Sequence, residues 1–258
     1  MRRKDWLVGA AGATGLVAAQ RADAAMIGSR RALLANSVNL TAAQIASGAT
    51  YIWPMNDSGA TALDIVGGAN GTYTGGYAHG RAPLAPGLGS STHFDGTSAY
   101  MTTGIKNPNG TGTTTPWTVE LIVWADNYIA DSTAGGNPRF LSNRSDVFNN
   151  KLEIYRNTGA ATIYVQLGAT NISFTPQPGP LILASVFDGA NNLLYVNGIL
   201  RASSTGASYV ASTAYLSVGW LPALSQAYYL GLSQSLAIYP TALSATALLS
   251  HAKAAKLA

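Results

Sequence analysis

The chain has 258 residues and is 47% hydrophobic but only 10% charged, with 28 Gly and no Cys. Disulfides and thiolate metal sites are excluded, and the mixture suits many short strands joined by tight turns rather than disorder or a helical bundle. The formal charge of +4 points to nucleic acid only until it is located: Arg2, Arg3, Lys4, Arg21, Arg30 and Arg31 against Asp5 and Asp23 place all of it within residues 1–36. The neutral remainder offers no field that tracks phosphates, so no nucleic-acid partner is expected.

Residues 1–50 read as a basic N-terminal arm and residues 51–258 as one domain. "MRRKDWLVGAAGATGLVAAQRADAA" has a basic start, a weak apolar stretch and a small-x-small Ala22-Asp23-Ala24, which is the pattern of a secretory leader. Asp5, Gly9, Gly12 and Gly15 interrupt that pattern, and the stretch is too short to span a bilayer as a helix. The preferred reading is a retained docking arm. Arg2, Arg3, Arg30 and Arg31 would meet acidic groups on a partner, with Trp6, Leu7, Leu33 and Leu34 as apolar anchors. With few large apolar groups, such an arm is expected to order only against that partner. Short helices are expected at Ala32–Ala35 and, capped by Thr41, at Ala42–Ala46.

From Tyr51 onward alternation dominates. Strands are expected at Tyr51–Met55, Thr92–Phe94, Ala99–Thr103, Trp117–Ala125, Lys151–Asn157 and Thr162–Leu167. Further strands follow at Leu181–Phe187, Leu193–Val196, Ile199–Ala202, Tyr215–Val218 and Tyr228–Ile238. Asp95-Gly96, Asp188-Gly189 and the Gly135-Gly136 loop are turn signals, and Asn197-Gly198 is the clearest hairpin signal. "WTVELIVWA" carries bulk on both faces, which suits a central strand. Ser244 reads as the N-cap of a final helix over Ala245–Ala255. The predicted fold class is all-β: a two-sheet antiparallel sandwich with a short C-terminal helix and a partly helical N-terminal arm.

Five segments resemble, in the correct order, the laminin-G-like, concanavalin A-like jelly-roll domains. They are "YIWPMNDSGATALDIVGGANGTYTGG", "STHFDGTSAYMTTG", "WTVELIVWA", "ASVFDGANNLLYVNGIL" and "LAIYPTALSATALL". The lead-in "ALLANSVNLTAAQIASGATYIWPMNDSG" is similar to bacteriophage members of that family, found in tail and capsid proteins. The resemblance implies a jelly roll; it does not by itself confer function. Many relatives carry an Asp-Glu pair on the last long strand that helps hold calcium, and here the matching residues are Gln234 and Ser235. Calcium affinity rests mostly on carboxylates, so no metal and no other cofactor is expected. Asp64 and Asp95 remain as oxygen donors, read here as turn-capping residues.

Glycosidase chemistry needs two carboxylates flanking one bond, yet Glu120 and Glu153 are the only Glu residues and lie on different predicted strands. His79, His93 and His251 show no neighbouring nucleophile or metal-ligand pattern in the sequence and read as polar turn or edge residues. "GAAGATG" follows no strand, so it is no phosphate loop. The expectation is therefore a non-enzyme. Sugars are held by aromatic faces with amide and hydroxyl partners. Tyr77, His79, Tyr209, Trp220 and Tyr228, the last paired with Tyr229, are the candidate glycan contacts, the competing reading being that Trp220 and one of these tyrosines fill the core. The expected role is a virion structural protein of a bacteriophage, present in many copies, with other virion proteins and host-surface carbohydrate as partners. The alternative is a secreted, extracellular carbohydrate-binding module whose leader is removed.

Overall fold

The computed structural model describes residues 38–86, 88–110, 113–125, 136–146, 151–157 and 161–258. The docking arm, with Arg2, Arg3, Trp6, Leu7, Arg30, Arg31, Leu33, Leu34 and the helix expected at Ala32–Ala35, lies outside the described residues. Helix α1 (Val38–Ala46) opens the described chain and helix α2 (Ala245–Ala254) closes it. Between them run β1 (Tyr51–Trp53), β2 (Thr61–Ala62), β3 (Gly71–Thr74), β4 (Ala78–Arg81), β5 (Ser91–Asp95), β6 (Tyr100–Thr102), β7 (Trp117–Ala125) and β8 (Arg139–Ser142). The second half contributes β9 (Leu152–Arg156), β10 (Ile163–Leu167), β11 (Thr170–Phe174), β12 (Leu181–Phe187), β13 (Asn191–Val196), β14 (Ile199–Thr205), β15 (Ser217–Val218) and β16 (Leu230–Tyr239).

These strands form two antiparallel sheets. The first is ordered β14-β13-β12-β7-β16-β5-β4, with β1 also paired to β16, and the second β11-β10-β9-β8-β15-β6-β3-β2. The protein is an all-β jelly-roll sandwich, as the alternation predicts. Inward residues of both sheets meet in one core, with Trp53, Phe94, Trp117, Phe140 and Phe187 among its largest members. Strand β7 is central, between β12 and β16. Its inward Trp117, Val119, Leu121 and Val123 join that core, while outward Ile122 lies under the helices in a second cluster with Leu40, Leu84, Ile182 and Ala252. Only Trp124, 43% exposed, escapes cover on this strand.

Two local features fix the register. Asn197 and Gly198 adopt φ of 51° and 76°, the pair of left-handed residues that a tight hairpin requires. A side chain at Gly198 would stand 2.5 Å from the Leu249 Cα, so α2 lies directly on this hairpin. On β16 a bulge at Ser235 (φ 53°) marks a change of partner. Residues before it pair with β5 and residues after it with β1, while β7 runs along the other side throughout.

Some expectations need correction. Thr41 is a buried residue inside α1 rather than its cap, because the helix already starts at Val38. Strand β1 stops at Trp53, where Pro54 follows and Met55 takes φ 57°. Strands β2, β3, β4, β8 and β11 had no sequence signal strong enough to name them, since each is short and several contain Gly or charge. Ser244 does cap α2, its Oγ accepting from the Ala247 amide at 3.2 Å.

A buried relay ties both helices to the first sheet. Ser47, just after α1, contacts His251 Nε2 of α2 at 2.8 Å, and His251 Nδ1 contacts Glu120 Oε2 of β7 at 2.8 Å. The Tyr239 hydroxyl of β16 donates to the same Glu120 oxygen at 2.6 Å. His251 and Glu120 are each 1% exposed. His251 is thus neither a turn residue nor an isolated one. Removing one member leaves a buried carboxylate short of a donor, so His251→Ala should destabilise the fold by about 3 kcal/mol. Denaturant melts of the two proteins measure the difference, and a change within about 0.5 kcal/mol would show that the relay does not hold the helices.

Candidate functional site

The outer face of the second sheet is the one on which the register assembles polar and aromatic groups together. Because Met101, Leu141, Ile154, Val165 and Val218 point into the core, their neighbours point outward. The pairings align Asn171, Gln166, Glu153, Ser142, Ser217, Thr102, Thr72 and Thr61 in one row across all eight strands. Ser142, Ser217 and Glu153 are buried in the middle of this row, while Asn171, Thr72 and Thr61 are exposed at its ends.

Two aromatic platforms stand on this face. Tyr155 and Tyr164 are cross-strand partners on β9 and β10, with stacked rings 5.3 Å apart. Arg139 lies over the Tyr155 ring at 4.6 Å and binds Glu153 at 2.6 Å, while Arg144 reaches the other Glu153 oxygen at 3.2 Å. Asn171 donates to the Tyr155 hydroxyl at 3.2 Å. Burial raises the Tyr155 phenol above its ordinary value, which keeps it protonated at neutral pH.

The second platform is Tyr100, Trp220 and Tyr228. Trp220 stacks on Tyr100 at 4.0 Å, and Tyr228 lies 6.3 Å from Trp220 and 6.4 Å from Tyr100. All three rings are half-buried. Gly219 makes this placement work: it takes φ 94°, and a side chain there would stand 3.0 Å from the Phe94 ring. Only Gly permits both the turn and the close approach. Beside the platform, partial burial raises the Asp95 carboxyl. The amides of Ser98, Thr97 and Ala99 and the Ser98 hydroxyl outweigh it, holding Asp95 well below the usual carboxylate range. Burial, then Tyr100 and the Asp95 charge, raises the Tyr228 phenol, so it too remains a donor. Tyr100 on β6 and Tyr155 on β9 are three strand spacings apart, about 14 Å.

The five sequence candidates separate accordingly. Trp220 and Tyr228 come together as expected. Tyr209 does not belong: it is 1% exposed, packs edge-on to Trp117 at 5.7 Å and bonds Asn143 at 2.7 Å. Its placement in a Ser-rich stretch hides a core residue. Tyr77 and His79 form a different cluster with Tyr73 at the edge of the sandwich, ring distances running from 4.6 to 5.2 Å. His79 is fixed by Thr92 Oγ1 at 2.8 Å and the Gly59 carbonyl at 2.9 Å, which commits both ring nitrogens to the fold. Tyr100, Tyr155 and Tyr164 were missed, although each is the polar-face residue of an alternating strand.

The position that would hold calcium in relatives has a different occupant. Gln234 Oε1 accepts from the Leu84 amide at 3.0 Å, while Nε2 donates to the carbonyls of Gly89 and Ser90. Ser235 donates to Gln44 Oε1 at 3.2 Å. An N–H donor aimed at two carbonyls replaces an ion rather than binding one, so these residues do not fit calcium. Asp64 and Asp95 spend their oxygens on turns: Asp64 accepts from the amides of Ile52, Val66 and Ala69. Among the described residues no three His, Asp or Glu side chains gather as a metal site.

The relay Ser47–His251–Glu120 has the connectivity of a hydrolase triad, but the surrounding donors are spent. The amides of Ser47, Gly48, Ala49 and Thr50 donate to Ala43, Ile45, Gln44 and Ile238 respectively. No amide of this turn is left for an oxyanion at Ser47.

No family model and no curated protein matches the chain. Solved structures do. Domain 4 of AbnA, an extracellular arabinanase of Geobacillus stearothermophilus seen with arabinotriose, is 18% identical, with a TM-score of 0.54 over 80% of this chain and 98% of that one. The botulinum neurotoxin serotype C1 binding domain is 9% identical with a TM-score of 0.54, covering 80% of this chain. A mutant sialidase of Trypanosoma rangeli is 10% identical with a TM-score of 0.55 over 79% of this chain. This chain spans about half of the neurotoxin domain (51%) and a third of the sialidase (32%). At such identities the likeness establishes the sandwich alone.

The Gln234 amide yields a test. Chelation with EDTA should leave the melting temperature unchanged, whereas an ion at about 100 times its dissociation constant would add about 2.7 kcal/mol. A drop of several degrees on chelation, seen by calorimetry, would place a stabilising ion that these residues do not account for.

Proposed function

We propose that the protein is a non-catalytic glycan-binding module, with an extended saccharide lying across the outer face of the second sheet. The carrying observation is the pair of aromatic platforms about 14 Å apart on a face that also carries the Arg139–Glu153–Arg144 ion cluster and, towards its ends, the exposed Asn171, Thr72 and Thr61. The C–H faces of sugar rings are apolar and slightly positive, which suits the negative face of an aromatic ring, while their hydroxyls need donors and acceptors between the rings. A spacing of this size favours several linked units over a single sugar. The likeness to a domain seen with arabinotriose supports the same class of ligand.

Titration with linear oligosaccharides of increasing length tests the reading. Affinity should rise until the ligand spans both platforms and then level off. Trp220→Ala and Tyr155→Ala should each weaken binding about tenfold, and buried Tyr209→Phe should leave it unchanged. Absence of binding across a glycan array, or affinity unchanged from the parent protein in both alanine variants, would overturn it.

The wider proposal is that many copies of this module are displayed on a bacteriophage particle through residues 1–36, as their segregated charge and the phage-like lead-in support. A weak contact per arm becomes strong when many copies engage one particle. Deleting residues 1–36 should leave the melting temperature unchanged and abolish incorporation into particles. Normal incorporation would move the anchor to the sandwich, and a mature protein lacking residues 1–24 would identify a secreted module instead.

A further inference from the structure

A cleft of about 550 Å³ lies at another place in the fold, between Phe174 of β11, the segment leading into β12, the β13–β14 hairpin and the chain after α2. Its walls include Leu181, Val196 and Leu257, and its charged groups are Arg201, Lys256 and the terminal carboxylate of Ala258. No Asp or Glu lines it. Arg201 is steadied over the Phe174 ring at 5.2 Å. Neither cation forms an ion pair with a carboxylate among the described residues. Asn197 also lines the cleft, its Oδ1 accepting from the Ile182 amide.

Lys256 is the informative residue. Leu257 N donates to Ala252 O and Lys256 N to Lys253 O, which is the Schellman ending of a helix. The residue after the C-cap then takes a left-handed conformation, where Gly is preferred, and here Lys256 takes it with φ 56°. A lysine held where glycine would be less strained is a cost to the fold. The return for that cost is an ammonium group at the rim of a cleft that already holds a guanidinium.

We propose that this cleft binds a carboxylate-bearing saccharide unit, the guanidinium and ammonium groups meeting the carboxylate and the apolar walls meeting the ring. Arg offers a paired-donor geometry for a carboxylate while Lys adds an unpaired positive charge, and the volume suits one or two sugar units. The assignment takes its ligand class from the glycan-binding reading but uses different residues, so either can fail alone.

The test uses the full chain and two trisaccharides, trigalacturonate and neutral galactotriose, followed by calorimetry and by NMR shifts. Trigalacturonate should bind and galactotriose should not perturb the cleft, with affinity falling several-fold between about 0.05 M and about 0.5 M salt. Arg201→Gln and Lys256→Gly should each weaken trigalacturonate binding about tenfold or more. Lys256→Gly should at the same time keep or raise the melting temperature, which separates the site from the fold. Trp220→Ala should leave trigalacturonate binding intact, distinguishing this cleft from the aromatic face. Absence of binding, binding unchanged in both variants, or displacement by sulfate at equal concentration would overturn the proposal.

Discussion

Strand β16 has to serve three partners, and the rest of the molecule is arranged around how it does so. Along one side it pairs with β7 from Gly231 to Tyr239; along the other it passes from β5 to β1 at the Ser235 bulge. A bulge turns a strand and leaves a residue unpaired. Here Ser235 N donates to Pro54 O and its hydroxyl to Gln44, while Gln234 reaches out to the Leu84–Ser90 segment. The irregularity is therefore bonded on every side. An amide that both donates and accepts gives directional cross-linking where an ion would give charge neutralisation, and it needs no carboxylates to do it. The neutral body of this chain is consistent with that choice.

Much of this architecture was legible in the sequence because it rests on local rules. The alternation in Trp117–Ala125 marks a strand covered on both faces, Asn197-Gly198 dictates its own turn, and Ser244 announces the last helix. What was not legible depends on contacts far apart in the chain. Thr61–Ala62 becomes a strand only because Gly71–Thr74 lies beside it. His251 has nothing near it in sequence, yet three elements deliver Ser47, Glu120 and Tyr239 to its ring and to the carboxylate it holds.

The candidate site shows the same division. Trp220 is conspicuous because it follows Gly219 beyond an expected strand, and Tyr228 because it pairs with Tyr229 at the start of the expected strand Tyr228–Ile238, which in the structure begins only at Leu230. Tyr100, Tyr155 and Tyr164 are inconspicuous because tyrosine is an ordinary strand residue. Their meaning comes from register: only the pairing of β9 with β10 stacks two rings, and only Gly219 lets Trp220 fold back onto Tyr100. Tyr209 fails for the opposite reason, since a Ser-rich neighbourhood looks exposed until Asn107 and Asn143 are found bonding its hydroxyl inside the sandwich.

The relay at Ser47 shows why connectivity is not chemistry. A serine, an imidazole and a carboxylate in hydrogen-bonded series move a proton, but an acyl-transfer site must also stabilise the negative oxygen that forms. Ser47 follows the C-terminal end of α1, where the helix presents carbonyls and the negative pole of its dipole. Developing negative charge there is disfavoured rather than stabilised. The nearby amides complete the turn, and the Tyr239 phenol, pushed well above its ordinary value by burial and then by Glu120, stays a donor to the carboxylate. Both ring nitrogens of His251 already have partners in the fold. What this arrangement does well is fasten two short helices, neither stable alone, onto the outer face of the first sheet, so that both helices among the described residues lie on that sheet.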